Sequence, residues 1–270
     1  MDVLFVFLAG IAAGSSGALL GLGGGIFLVP VLNIAMGLPL AQAVAISLIT
    51  VIATSNFVSL ASAGRRASNV RLAMVLQVVS AVGAIAGTFI LAYISARVRE
   101  QVFGGTALLV AAVMLSRINQ RNVLEGPVED VGVLGGWIKD PDTDQLVAYR
   151  VRRVSLALGV AGGAGVVSTL AGIGGGVLVV PALNSWCGVP MRVAAATSAV
   201  ILGVTAIPGI VVHFADGHLT NPPLAAAAVL GVLVGSPTGF WVGSRVRVRS
   251  LKILMAVVLL IVAAEYLFFR

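Results

Sequence analysis

One ten-residue motif occurs twice in the chain. Gly21-Leu22-Gly23-Gly24-Gly25-Ile26-Phe27-Leu28-Val29-Pro30 returns as Gly172-Ile173-Gly174-Gly175-Gly176-Val177-Leu178-Val179-Val180-Pro181, a shift of 151 residues from Gly23 to Gly174. The match runs on past the glycines. Leu32, Asn33, Gly37, Pro39, Ala45 and Ser47 correspond to Leu183, Asn184, Gly188, Pro190, Ala196 and Ser198. The chain is therefore two copies of one unit, and each copy has a glycine-rich break inside a long apolar stretch. Paired interruptions of this kind in a membrane protein are the best sequence pointer to a binding site for a transported solute.

Composition supplies the membrane. The chain is 59% hydrophobic and 10% charged, with a mean hydropathy of +1.09. Soluble domains run at about 45–50% apolar and about 25% charged. A globule of 270 residues cannot hide that much apolar surface, so lipid must cover it. The net charge is +7, with the basic residues gathered between apolar segments. That suits loops facing anionic lipid and not a nucleic-acid surface. The single cysteine, Cys187, excludes an intrachain disulfide framework and a multi-cysteine metal site, and it reads as packing. No cofactor is expected. Met1-Asp2 leads directly into Val3-Leu4-Phe5-Val6-Phe7 without a basic n-region, which reads as a retained membrane segment and not a signal peptide.

Crossing the hydrocarbon core takes about 20 residues. Apolar segments fall near 3–37, 40–63, 72–96, 102–115, 154–187, 193–214, 224–242 and 251–269. The first and fifth exceed one simple span, and both hold a glycine box, so each predicts a helix, a nonhelical turn and a second, shorter helix. Glycine weakens a helix interior by about 1 kcal/mol and permits positive φ. Gly83 and Gly87 pair with Gly231 and Gly235 as small-residue contacts that let helices approach closely. Pro30 and Pro181 are expected to cap or kink the short helices, and Pro39 and Pro190 to start the next spans. The expected fold is an all-α polytopic membrane protein of two inverted-topology repeats. Each repeat is a glycine-broken, re-entrant helix pair plus three transmembrane helices. The expected boundaries are 1–118 for the first repeat, 119–152 for a polar cytoplasmic connector and 153–270 for the second repeat. Within the connector, Trp137–Lys139 and Leu146–Tyr149 read as a small hairpin in an otherwise solvated loop. Its acidic residues lack the spacing of a calcium loop.

Loop charge gives orientation. Arg65, Arg66 and Arg71 follow the second segment, whereas the equivalent loop at Asp216-Gly217-His218 has no lysine or arginine. Arg245, Arg247, Arg249 and Lys252 outweigh the equivalent Arg97 and Arg99, which sit beside Glu100. Equivalent loops thus alternate in basic charge, as inverted repeats require under the positive-inside rule. The connector, flanked by Arg117, Arg121, Arg150, Arg152 and Arg153, is then cytoplasmic and both termini are outside. The fifth segment must enter and leave on the inner face, and the first on the outer. Arg97 and Arg99 run against this bias.

Twin GxGGGxxxxP boxes in a small duplicated membrane protein resemble the TauE/SafE family of sulfite and organosulfur-anion exporters. The resemblance spans nearly all of both halves, and the long charged connector is its one departure. It implies a multi-pass carrier in the bacterial plasma (inner) membrane. It implies a small sulfur-containing anion, such as sulfite or sulfoacetate, as substrate and export as the direction. It leaves a homodimer open.

An anion in such a protein can be held without a buried cation. The helices after the breaks begin with amides that lack intrahelical partners, and their dipoles place partial positive charge there. The candidate substrate-binding residues are Gly23, Gly24 and Gly25 with Gly174, Gly175 and Gly176, joined by the polar side chains of Asn33, Ser47, Asn184, Thr197 and Ser198. The competing reading of the glycines is close helix packing, and of the polar residues interhelical hydrogen bonding. His213 ends an apolar run and reads as a surface histidine near a loop, with proton carriage the rarer alternative. Two rivals to a carrier remain at this point. One is an anion channel. The other is an integral membrane enzyme, which would have to use His213, His218 and Asp216 alone.

Overall fold

The computed structural model describes residues 2–64, 68–91, 93–116, 131–139, 146–219, 221–243 and 248–268. The basic loops at Arg65–Arg66 and Arg245–Arg247, and the charged connector stretches 117–130 and 140–145, lie outside the described residues. The first half holds α1 (Asp2–Leu20), α2 (Gly25–Pro30), a π turn (Val31–Ala35), α3 (Leu40–Gly64), α4 (Val70–Leu91) and α5 (Ala96–Ser116). The second holds α6 (Val154–Ala171), α7 (Gly176–Ser185), α8 (Met191–Ala215), α9 (Pro222–Gly243) and α10 (Val248–Phe268). Between them β1 (Gly136–Lys139) pairs antiparallel with β2 (Leu146–Tyr149), Trp137 opposite Ala148, as the expected hairpin.

The chain is an all-α multi-pass membrane protein. Helices α1, α3, α4, α6, α8 and α9 are each long and apolar enough to cross a bilayer. Helix α5 is less apolar, with Arg97, Arg99 and Glu100 among its first residues, while α10 carries a long apolar stretch after Arg249 and Lys252. Pro39 and Pro190 do precede the next spans. Pro30 leads into the π turn, while Pro181 lies inside α7 without ending it.

Small residues set the packing. A Cβ on Gly14 of α1 would lie 2.6 Å from the Val232 carbonyl oxygen of α9, and one on Gly10 would lie 2.7 Å from that of Ala228. Gly83 and Gly87 of α4 meet Gly162 and Val166 of α6 in the same way. Each close pair joins the first helix of one half to the fourth of the other. The third helices, α3 and α8, pack against each other head to tail, with Gly203 beside Asn56 and Gly209 beside Leu48. Equivalent helices of the two halves therefore run antiparallel where they touch.

The helix ends gather on two faces. On one, Arg152 N–H donates to the Cys187 carbonyl at 2.8 Å, so the start of α6 and the end of α7 lie together. On the other, Tyr266 near the end of α10 donates to Asn33 Oδ1 just beyond α2 at 3.3 Å. Tyr266 also stacks on Phe103 of α5, with ring centroids 4.6 Å apart.

One side of the connector hairpin is anchored against the helices. Ala148 and Tyr149 are buried. Asn69, just before α4, donates from Nδ2 to the Leu134 carbonyl at 2.7 Å and to the Tyr149 hydroxyl at 3.0 Å. Burial pushes the Tyr149 phenol up from its ordinary pKa, with the Asn69 hydrogen bond opposing in part. The phenol is thus held neutral as a hydrogen-bonding partner.

Candidate functional site

Each glycine box makes a bend because its glycines sit where L side chains are strained. Gly21, Gly23 and Gly24 have φ of 71, 76 and 81°, and Gly172 and Gly174 have 67 and 70°. A side chain costs about 1–2 kcal/mol per residue in that region. Gly175 differs from its counterpart Gly24, with φ −62°. Beyond the bend a helix restarts, and Leu28 and Val179 each return an N–H to Gly24 O and Gly175 O at 3.2 and 3.1 Å.

The two bends meet. A Cβ on Gly25 would lie 2.6 Å from the Gly172 carbonyl oxygen and 2.7 Å from Ser47 Oγ. A Cβ on Gly176 would lie 2.8 Å from the Gly21 carbonyl oxygen and 2.9 Å from Ser198 Oγ. These contacts are reciprocal: the start of each short helix touches the end of the long helix from the other half. Val51 and Leu202 stand beside both Gly23 and Gly174. That apolar pair was not among the sequence candidates, although its two members are themselves 151 residues apart.

The serines are matched in position but not in bonding. Both are fully buried. Ser47 donates to the Gly172 carbonyl at 2.7 Å, whereas Ser198 Oγ has no partner. Electrostatically, the starts of α2 and α7 bring partial positive charge to the junction. The carbonyl ends of α1 and α6 bring partial negative charge, and Ser47 takes up one of those carbonyls. At the junction lie the Gly21 and Gly172 carbonyls, the bonded Ser47 hydroxyl and the unpartnered Ser198 hydroxyl, and no charged side chain is among the groups that meet Gly25 and Gly176.

The other candidates lie apart from the bends. Asn33 and Asn184 follow Gly25 and Gly176 by eight residues, about 12 Å along a helix. Each closes the return loop after its short helix, with Nδ2 donating to the Leu38 carbonyl at 2.8 Å and to the Val189 carbonyl at 3.0 Å. Thr197 turns toward α4, where its Oγ1 accepts from the Asn69 backbone N–H at 3.0 Å. Replacing Thr197 with valine is expected to leave that buried N–H unpaired and cost about 1–3 kcal/mol. Thermal unfolding would register the loss, while the half-saturation for anion should hold. Among the described residues there is no group of three or more His, Cys, Asp and Glu able to hold a metal ion.

A family model described as "Sulfite exporter TauE/SafE" matches residues 6–266. The "Probable membrane transporter protein YunE" of Bacillus subtilis (strain 168) is 24% identical over 275 residues, covering 99% of this chain and 98% of that protein. No solved structure matches.

Proposed function

Since the chain belongs to the sulfite exporter TauE/SafE family, and so to a family of membrane transporters, we propose that it moves a small sulfur-containing anion such as sulfite or sulfoacetate. The mechanism is alternating access, with the anion held where the two glycine bends meet. The observation that carries this reading is the reciprocal contact of Gly25 with the Gly172 carbonyl and of Gly176 with the Gly21 carbonyl. Two hairpins that open on opposite faces of the protein and touch at their tips form one barrier with two sides. Rocking one half against the other exposes the junction first to one face and then to the other.

Inverted membrane topology of the two repeats is part of the same proposal. It is supported by the antiparallel contact of α3 with α8 and by the alternation of loop charge. The hairpin of α6 and α7 then opens to the cytoplasm and that of α1 and α2 to the outside. Amide and hydroxyl donors suit a transported anion better than a buried arginine would. They cost less to place in the bilayer, where a charge is penalised by at least about 2.5–3.5 kcal/mol, and they release the ion more readily. Family resemblance makes the direction export.

The test is flux in proteoliposomes holding sulfite or sulfoacetate. Saturable efflux with counterflow is expected. Unsaturable flux without counterflow would indicate a channel, and absence of flux of either anion by folded protein would overturn the reading.

A further inference from the structure

The connector is the part of the chain that the duplication does not explain, and its hairpin reaches the helices close to the glycine junction. Asn69, just before α4, ties three elements together there. Its side-chain Nδ2 donates twice to the connector, to the Leu134 carbonyl at 2.7 Å and to the Tyr149 hydroxyl at 3.0 Å. Its Oδ1 accepts the Leu72 N–H at 3.0 Å and so caps α4. Its own N–H donates to Thr197 Oγ1 at 3.0 Å. Thr197 stands six residues after Met191, the first of α8, which puts it about 9 Å along that helix. The next residue is Ser198, whose hydroxyl faces Gly176 at the junction, and both are fully buried. The contacts from the connector to the junction therefore run Tyr149, Asn69, Thr197, Ser198. A second strap lies alongside. Arg152 N–H donates to the Cys187 carbonyl at 2.8 Å, and a Cβ on Gly188 would lie 3.0 Å from the Arg150 carbonyl oxygen. The chain leaving the hairpin thus crosses the end of α7.

The hairpin is attached on one side. Tyr149 and Ala148 are buried, whereas Trp137 is 53% and Val133 81% exposed. Two strands of four residues each are marginal on their own. Its placement depends on the bonds to Asn69, and neutral bonds of this kind exchange for water at small net cost. We propose that the connector hairpin is a gate over the glycine junction on this face, with Tyr149 and Asn69 as its clasp. In the closed arrangement described, Tyr149 holds Asn69 and Asn69 holds Thr197. Helix α4 of the first half is thereby fastened to α8 of the second, on which it packs, beside Ser198. On release, Tyr149 and Asn69 take water as their partner, α8 parts from α4, and solvent or anion reaches Ser198. The opposite face is fastened differently, by the Tyr266 hydroxyl donating to Asn33 Oδ1 at 3.3 Å. The gate's part in transport rests on the proposed alternating access. The closure itself does not.

The test reads access to Ser198. Cys187, the one cysteine of the chain, is replaced by serine, and Ser198→Cys places a thiol beside the junction. The full-length protein in nanodiscs meets a water-soluble maleimide from both faces, so the labelling rate depends on neither orientation nor transport. Tyr149→Phe keeps the ring but offers Asn69 no oxygen, and it should raise the labelling rate about 2- to 12-fold. Asn69→Ser keeps a capping oxygen for α4 and the N–H for Thr197 but has no amide for the connector. It should raise the rate at least as much. Tyr266→Phe, which gives up its bond to Asn33 on the other face, is the control and should not raise it. A hairpin that only supports the fold would lower the unfolding temperature and leave the rate unmoved. Rates unmoved in both connector variants would overturn the proposal, and so would an equal rise in Tyr266→Phe. Faster labelling in protein that moves no sulfite keeps the closure and overturns the transport reading, and sulfite flux with unmoved labelling does the reverse.

Discussion

Alanine at Gly25 is expected to cut sulfite flux by roughly 5- to 150-fold, the range that an overpacking strain of about 1–3 kcal/mol converts to at about 1.4 kcal/mol per tenfold. The added methyl would press on the Gly172 carbonyl and on Ser47 Oγ together. Neither can move cheaply. The carbonyl belongs to the bend of the other half, and the hydroxyl is bonded to that same oxygen. The strain therefore falls on the contact between the two tips, which forms and re-forms in the proposed transport cycle. Global stability should change less, because alanine recovers up to about 1 kcal/mol of helix propensity in α2. Gly176→Ala should behave alike, pressing on the Gly21 carbonyl, Leu202 and Ser198. Gly105 is the control: a Cβ there meets nothing within 4 Å and its backbone is helical, so alanine should be silent. Flux per reconstituted molecule, alongside thermal unfolding, checks all three. Unaltered flux in both Gly25→Ala and Gly176→Ala would falsify a tip-to-tip barrier.

The bends were legible in the sequence because a left-handed turn is a local demand that only glycine meets without strain. The duplication then implied that two such bends belong together, without giving their distance. Sequence matching was less discriminating for the asparagines. A repeat conserves between its copies whatever both copies need, and Asn33 and Asn184 are needed to close identical return loops. Thr197 had no matched partner, since Ile46 stands at its counterpart, and its bond to Asn69 lies outside the internal symmetry. The connector hairpin was legible, but its anchoring was not: Tyr149 and Leu134 are held by Asn69 some 65 to 80 residues earlier in the chain, and no local pattern encodes that. His213 was missed for the same reason. Its burial depends on elements other than α8, which periodicity within α8 does not show.

The internal symmetry is broken where the two bends meet, and under the proposed mechanism the break has a role. Ser47 spends its hydroxyl on the Gly172 carbonyl, while Ser198, its counterpart, has no partner beside the Gly21 carbonyl. Gly24 is left-handed where Gly175 is right-handed. In a carrier built from inverted repeats, the two halves exchange conformations when access reverses. One formed latch and one open latch are what a single access state should show.

Ser198→Ala is accordingly expected to raise the half-saturation for sulfite by roughly 10- to 150-fold, as loss of a hydrogen bond to a charged group worth about 1.5–3 kcal/mol implies. Its thermal stability should be equal to or above that of the unaltered protein, because no intramolecular bond is lost and a buried unpaired hydroxyl is removed. Ser47→Ala should differ in kind. It strands the Gly172 carbonyl and should destabilise the described state by about 1 kcal/mol, shifting the balance of access more than the affinity. Labelling of cysteines introduced at the two mouths, with the buried Cys187 replaced, reports that balance. If instead Ser198→Ala lowers stability and leaves half-saturation untouched, the hydroxyl is a packing element and the anion is held by backbone amides alone. The contrast between the two serines thus tests whether the free hydroxyl is a ligand.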